Sequence, residues 1–188
     1  MLLKGLFLIN EIEILKLVVT RLTSARIPYM VTGSIAANFY TTPRMTRDID
    51  IVIEVEEKDA ETLYSLFSSN FYVDKQAIKN AIHNKQIFNI IHNVEVVKVD
   101  FIIRKDTNYR DLEFKNRRCI VWEGQEIFVA SPEDLILSKL FWARESLSEI
   151  QLRDVRNLFR TSPNLDRGYI EKWVRELKLD EVYNEVIT

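Results

Sequence analysis

The sequence has few of the residues that mark several large protein classes. Its 188 residues include one cysteine, Cys119, and only four glycines and four prolines. A single cysteine excludes a disulfide framework within the chain and a cysteine-rich metal centre, and it is typical of a reducing compartment. The first 15 residues are apolar, but charged residues interrupt them and they are too few to span a bilayer. We therefore expect a cytoplasmic protein with no membrane partner.

The chain also lacks an excess of charge of one sign. Its 26 basic and 28 acidic residues give a net charge of -2, and both kinds are spread evenly along the sequence. Proteins that hold long nucleic acids usually carry a basic face or segment. The balance weighs against such a substrate without excluding it. Apolar residues make up 47% of the chain, which is ordinary for a globular protein with a packed core.

The shortage of glycine and histidine excludes several common sites. The glycines stand far apart, at positions 5, 33, 124 and 168. The Walker phosphate loop and the dinucleotide-binding fingerprint both need glycines within a few residues of each other. The two histidines, His83 and His92, lie nine residues apart with no cysteine near them, so a zinc site is not indicated.

Against this background, one stretch concentrates unusual residues. It reads VTGSIAANFYTTPRMTRDIDIVIE and covers residues 31–54. Asp48 and Asp50 begin a strand rich in β-branched residues, and side chains two apart on a strand point to the same face, about 7 Å apart. A later apolar strand, VVKVDFII, contributes Asp100. Three such carboxylates can hold two Mg²⁺ ions, which prefer oxygen ligands, and Mn²⁺ can substitute.

Gly33 and Ser34 stand where a short strand turns into a predicted helix. Glycine allows a close approach of the backbone, the serine hydroxyl is a donor, and a helix start attracts phosphate. We interpret the pair as a binding site for the triphosphate of a nucleotide. Either residue alone is equally compatible with a purely structural turn and cap.

Two cationic residues are further candidates for nucleotide binding. Lys139 falls within the apolar sector of the helix that begins at Ser131, so it must reach water, a carboxylate or a ligand phosphate. Pairing with a core acid is as consistent with the pattern as nucleotide binding. Arg44 either touches the substrate or caps its turn, and the Arg153-Asp154 pair favours structural ion pairs.

The periodicity along the chain predicts an α+β protein in which a mixed strand–helix core precedes a helical lobe. We place the core at residues 1–130 and the helical C-terminal lobe at 131–188, with a soft boundary that also allows one compact domain. Helices are expected over 11–25, 34–40, 59–69, 131–145, 148–160, 167–178 and 179–187, and strands over 29–31, 48–55, 87–91, 94–103 and in a hairpin around Gly124. Residues 104–118 could bind an anionic acceptor, but their mixed charges and lack of periodicity favour a solvated loop.

The order of these motifs resembles the nucleotidyltransferases of the DNA polymerase β superfamily. The resemblance covers residues 27–160 and is greatest to a bacterial branch that includes antibiotic and abortive-infection-toxin nucleotidyltransferases. Its pattern is Gly-Ser, a helix, an Arg-x-Thr-x-Asp-x-Asp strand and a distal Asp. The matching residues are Gly33, Ser34, Arg44, Thr46, Asp48, Asp50 and Asp100. Thr41-Thr42-Pro43 departs from it, because a glycine is common in that turn.

The resemblance implies a small mixed β-sheet with packed helices and a reaction that moves a nucleoside monophosphate from a nucleoside triphosphate to an acceptor hydroxyl. The acceptor stays open between a small molecule, a protein side chain and an RNA end. An alternative is a regulatory or toxin–antitoxin-type nucleotide-binding component that acts through an RNA or through a partner protein encoded by a neighbouring gene.

Overall fold

The structure, a computed structural model, describes residues 9–146 and 148–187. The apolar start of the chain, residues 1–8, lies outside the described residues. The strands are β1 Tyr29–Thr32, β2 Asp48–Ile53, β3 Phe71–Tyr72, β4 Ile87–His92, β5 Lys98–Ile103, β6 Arg118–Trp122 and β7 Gln125–Val129. The helices are α1 Ile9–Ser24, α2 Gly33–Ala37, α3 Ala60–Phe67, α4 Lys75–Asn84, α5 Asn108–Lys115, α6 Pro132–Ser146, α7 Glu149–Thr161, α8 Arg167–Glu176 and α9 Asp180–Ile187.

The strands form one mixed sheet in the order β3-β4-β5-β2-β1-β7-β6. The pairs β2/β5 and β1/β7 are parallel, and the other neighbouring pairs are antiparallel. The expectation of an α+β fold with a mixed sheet and packed helices is confirmed. Strand β2 lies between β5 and β1, so that its side chains have neighbours on both sides.

The two faces of β2 differ in character. Ile49, Ile51 and Ile53 are fully buried on one face, where they join the apolar core. Asp48 and Asp50 alternate with them and therefore point to the other face, as the sequence predicts. Burial of the isoleucines fixes the register of β2, because a slip of one residue would expose all three.

Two segments differ from the sequence-based expectations. Residues 104–118 are not a solvated loop, because α5 forms there and buries Tyr109, Glu113 and Phe114. The strand expected over 94–103 begins only at Lys98, after a turn. The short strand β3 and the helix α4 were not predicted.

The predicted helical lobe shares its core with the sheet. Buried residues from α1 through α9 belong to one apolar cluster. Polar contacts cross the predicted boundary as well: the Tyr109 hydroxyl donates to Asp134 at 3.3 Å and the Ser138 hydroxyl to Glu113 at 2.7 Å. Ser131 accepts from the backbone N–H of Asp134, which confirms it as the N-cap of α6. The division at residue 130 stays a prediction.

None of the helices within the described ranges combines the length and the apolar character that crossing a membrane requires.

Candidate active site

The three aspartates predicted as a site meet on neighbouring strands. Strands β2 and β5 run parallel, with Asp50 directly opposite Asp100 and Asp48 opposite Lys98. Asp50 is also opposite Thr32, at the end of β1, on its other side. We call Asp48, Asp50 and Asp100 the carboxylate cluster. Its members share one face of the sheet because each lies two residues from the next along its strand or in register across it.

A lysine that the sequence analysis did not single out neutralises part of this cluster. The Lys98 ammonium lies 2.8 Å from a carboxylate oxygen of Asp100 and 3.7 Å from one of Asp48. The contact raises the pKa of Lys98, mainly through the hydrogen bond to Asp100. One lysine cannot balance three carboxylates, so the cluster keeps an excess of negative charge.

The excess of negative charge affects the pKa of Asp50 most strongly. Burial, together with repulsion from Asp100 and Asp48, raises the pKa of Asp50 from an ordinary value of 3.8 to about 6. Attraction to Lys139 and Lys98 opposes the shift without cancelling it. A carboxylate held in this way gains strongly from a second cation, because an added positive charge removes the repulsion.

Gly33 leaves the space that the Asp50 carboxylate occupies. A Cβ at position 33 would lie 2.0 Å from Oδ2 of Asp50, and the φ angle of Gly33 is +65°, in the left-handed region that favours glycine. Position 33 therefore requires glycine because the Asp50 carboxylate lies against it, which the sequence alone did not reveal. Its approach to a phosphate stays a prediction.

Ser34 and Arg44 are joined to each other at the start of α2. An Arg44 guanidinium nitrogen donates to the Ser34 hydroxyl at 2.5 Å. The backbone of Arg44 is held from both sides by Asn38, whose side chain accepts from its N–H at 3.0 Å and donates to its carbonyl at 2.9 Å. The guanidinium also donates to both oxygens of Asp154, at 3.2 and 3.0 Å. Arg44 thus links the predicted phosphate site to α7.

Lys139 continues the series of polar contacts from Ser34 and Arg44 into the interior of the protein. Only 3% of its surface is exposed, and its ammonium donates to Asp154 at 2.8 Å and to Gln151 at 3.1 Å. The pairing with a core acid, one of the two interpretations open from the sequence, is therefore present. Nucleotide binding by Lys139 stays a prediction.

The charges in this chain are unequally compensated. Burial favours a raised pKa for Asp154, but hydrogen bonds from Arg44 and Lys139 outweigh it and hold the pKa below its ordinary value. Burial lowers the pKa of Lys139, which has a single carboxylate partner and lies near the cationic Arg44. We call Ser34, Arg44, Asp154 and Lys139 the buried charge chain.

The donor set of the carboxylate cluster suits a hard divalent cation. It offers only carboxylate oxygens, which Mg²⁺ and Mn²⁺ prefer, and Asp50 stands directly opposite Asp100 on the neighbouring strand. Within residues 9–146 and 148–187, no three His, Cys, Asp or Glu side chains already surround a point at metal distance. Lys98 contacts Asp48 and Asp100, so it would compete with a cation for these two carboxylates.

The structure brings the predicted site residues into two adjoining groups. Gly33 belongs with the carboxylate cluster, and Ser34, Arg44 and Lys139 belong to the buried charge chain. The two groups meet at the peptide bond between Gly33 and Ser34. The sequence analysis missed Lys98, although its spacing of two from Asp100 could have placed it on the same face. The structural ion pairs expected at Arg153-Asp154 are confirmed for Asp154, which pairs with Arg44 and Lys139, whereas Arg153 forms no ion pair within the described residues.

Comparison with known proteins gives a clear answer at the level of fold. Neither a known family nor a curated protein matches the sequence. Three similar solved structures are a nucleotidyltransferase-like protein from Paracoccidioides brasiliensis, the antibiotic-resistance factor ANT(2'')-Ia and the lincosamide antibiotic adenylyltransferase LnuA.

The similarity extends over most of each chain. For the Paracoccidioides protein the TM-score is 0.57 at 18% identity, with 93% of this chain and 92% of the other covered. For ANT(2'')-Ia the TM-score is 0.61 at 9% identity, with 95% of this chain and 98% of the other covered. For LnuA the TM-score is 0.55 at 13% identity, with 79% of this chain and 96% of the other covered. The chain therefore has the nucleotidyltransferase fold.

Proposed function

We propose that this protein is a metal-dependent nucleotidyltransferase, which moves a nucleoside monophosphate from a nucleoside triphosphate to an acceptor hydroxyl and releases pyrophosphate. The observation that carries the proposal is the carboxylate cluster, in which Asp50 is packed against Gly33 and faces Asp100 across two parallel strands. Proteins rarely place three carboxylates together on a partly buried sheet face unless a cation binds there.

In this proposal Asp48 and Asp50 would hold two Mg²⁺ ions, with Asp100 as a further ligand. When bound, these ions neutralise phosphate charge and lower the pKa of the acceptor hydroxyl. Asp100 stands on the neighbouring strand, where it can take the hydroxyl proton. The acceptor oxygen then forms a bond to the α-phosphorus while the bond to the pyrophosphate oxygen breaks.

Gly33 and Ser34 hold the β- and γ-phosphates in the proposed complex. The Ser34 hydroxyl accepts from Arg44, so its own hydrogen is free to point at a phosphate oxygen. Arg44 is partly exposed and can contact the same phosphates. Lys139 is too buried to do so without leaving Asp154, and we assign it the role of fixing Asp154 and hence Arg44.

The acceptor belongs to the class of hydroxylated molecules. Two of the similar structures are bound to small molecules: LnuA is described with lincomycin and ANT(2'')-Ia with adenylyl-2''-tobramycin. A small-molecule acceptor is therefore the first candidate for this chain. The toxin-like alternative, in which the acceptor is an RNA end, predicts a different labelled product.

The test is incubation of the protein with each of the four α-labelled nucleoside triphosphates, Mg²⁺ and a cell lysate. We expect transfer of the label to an acceptor with release of pyrophosphate, and no transfer by Asp50→Asn. Asp106→Asn is the matched control, because Asp106 is an exposed carboxylate that pairs with Lys85 and Arg104 away from the cluster. Full activity of Asp50→Asn would disprove the mechanism. Nucleotide binding without any transfer would favour the regulatory alternative.

A further inference from the structure

A polar cavity of about 370 Å³ lies beside the candidate active site. It opens between the C-terminal end of α2, the 41–44 turn and α7. Its volume lies within the range of small-molecule sites, which is about 300–1,000 Å³. The walls carry three arginines, which are Arg44, Arg153 and Arg160, and a single acidic residue, Asp154.

The positive charge of this cavity is not balanced from within. Arg44 and Lys139 already hold Asp154, so its carboxylate is fully used. Arg160 donates to the neutral amide oxygen of Asn157 at 3.1 Å. Arg153 is exposed and, among the described residues, has no hydrogen-bond or carboxylate partner. Two guanidinium groups are therefore available to a ligand.

The two arginines are placed to act together. They lie seven residues apart on α7, which is two helical turns, so that their side chains leave the same side of the helix. Asn157 lies between them and also lines the cavity. A guanidinium offers several donors in a plane and can bind two phosphate oxygens at once. Phosphate is therefore the ligand that a pair of arginines suits best.

The cavity is also connected to the predicted reaction site. Arg44 lines the cavity and donates to Ser34. Helix α2 contacts Asp50 through Gly33 at its start and lines the cavity through Ala37 at its end. Five helical residues span about 7.5 Å. The separation between a group bound in the cavity and the Asp50 carboxylate is therefore roughly the length of one nucleotide.

We propose that this cavity binds a phosphate group of the acceptor, held by Arg153 and Arg160, and that the acceptor is a phosphorylated hydroxyl compound. This inference rests on the proposed function for the role of the ligand. The triphosphate is assigned to Gly33 and Ser34, and the cavity lies beyond Arg44 from them. Two free guanidinium groups suit one phosphate ester, whereas a long polyanion needs many contacts along a face.

The test measures binding without nucleotide and with a chelator, so that it does not depend on transfer. Ribose 5-phosphate and ribose are titrated in turn, and binding is followed by ligand-detected NMR. We expect the phosphorylated sugar alone to bind, and Arg153→Gln with Arg160→Gln to weaken it by about tenfold or more, the value of one or two charged hydrogen bonds. Arg156→Gln is the matched control, because Arg156 lies on the same helix and contacts Glu149 and the Glu185 carbonyl.

Equal binding by the wild type and the double variant would overturn the proposal. So would a loss of ATP binding in the double variant as large as the loss of ribose 5-phosphate, since the cavity would then be a triphosphate subsite. A third arm uses a short oligoribonucleotide with a free 3′ end. If the oligonucleotide binds more tightly than the sugar through the same two arginines, with a steep salt dependence, the ligand is a polyanion and the proposal of a single phosphate ester is wrong. Absence of label transfer in the earlier assay leaves all these readings unchanged.

Discussion

Two charged regions of this molecule lie side by side and are built in opposite ways. The carboxylate cluster contains three aspartates and one partly exposed lysine, so like charges face each other across β2 and β5. The buried charge chain alternates its charges, because Asp154 stands between Arg44 and Lys139. The first region brings like charges together, whereas the second places an acid between two cations and keeps an excess of positive charge.

The difference indicates what each region does. Repulsion that a fold does not relieve costs free energy of unfolding, and it persists where a ligand supplies the missing charge. A buried acid with cationic partners on both sides instead orders the side chains that hold it. This difference supports the proposals that the carboxylate cluster binds a cation and that the buried charge chain positions Ser34 and Arg44.

The largest effect on stability is expected from Asp154→Ala, which removes the acid of the buried charge chain. It leaves Lys139 buried without a carboxylate, which costs about 3–5 kcal/mol of free energy of unfolding. Urea unfolding of the wild type and the variant measures the loss. The double variant Lys139→Met with Asp154→Leu removes the stranded charge and is expected to recover most of the stability. A loss below about 1 kcal/mol for Asp154→Ala would contradict the claim that the Lys139–Asp154 pair contributes strongly to stability.

The carboxylate cluster is expected to respond in the opposite direction. The pKa of Asp50 in the folded protein is about 6, above the ordinary 3.8, so the wild type loses stability as pH rises through this interval. Asp50→Asn removes the titration and is expected to stabilise the metal-free protein above pH 7 by about 1–3 kcal/mol, with no difference near pH 4.

Urea unfolding at a series of pH values, with a chelator present, checks this prediction. Asp106→Asn serves again as the control, because its carboxylate is exposed and has cationic neighbours. A wild type that is more stable than Asp50→Asn at pH 7.5 would show that the cluster is not under repulsion.

Ser34→Ala tests the point where the two regions meet. Loss of one hydrogen bond to a charged group is expected to weaken ATP binding by about 1–2 kcal/mol, with little change in unfolding. Calorimetric titration with ATP and Mg²⁺ measures the change. Ser65→Ala, an exposed hydroxyl on α3, is the comparison variant. Identical affinities for Ser34→Ala and the wild type would mean that Ser34 only supports Arg44.

The smallest effect concerns Lys98. Its contacts are partly exposed, so Lys98→Met is expected to lower the stability of the metal-free protein by less than about 1 kcal/mol. The same change removes a competitor for Asp48 and Asp100. The rise in melting temperature on addition of Mg²⁺ is therefore expected to be larger in Lys98→Met than in the wild type.

A control for this last measurement is Lys105→Met, which removes an exposed lysine just beyond the end of β5. If the response to Mg²⁺ were the same in all three proteins, Lys98 would have no part in cation binding.

The sequence points to several residues of the candidate site because they break a local pattern. Asp48 and Asp50 interrupt a strand of β-branched residues, and Lys139 interrupts an apolar helical sector. Such interruptions can be recognised without knowing the partner. Their partners carry weaker signals. The spacing of two from Asp100 places Lys98 on the same strand face, whereas Asp154 is identified only by its tertiary contacts with Arg44 and Lys139.

The same reasoning explains the error at residues 104–118. Helix α5 buries Glu113, which Arg110 and Ser138 satisfy, so its inward face includes charged groups and its apolar periodicity is weak. Helix α4 does carry readable signals. Asp74 caps it by accepting from the N–H groups of Gln76 and Ala77, and Ile78 and Ile82 lie one turn apart on its buried face.

The contact between Gly33 and Asp50 has a consequence for how such sequences can change over time. A Cβ at position 33 would overlap the Asp50 carboxylate where it now lies and would force that side chain to move, whereas a chain without the carboxylate no longer needs the open space. The two positions are therefore expected to change together, and a residue other than glycine at position 33 is expected in relatives that lack a carboxylate at position 50. These two positions, 17 residues apart, report together whether a relative keeps the carboxylate that we propose to bind a cation.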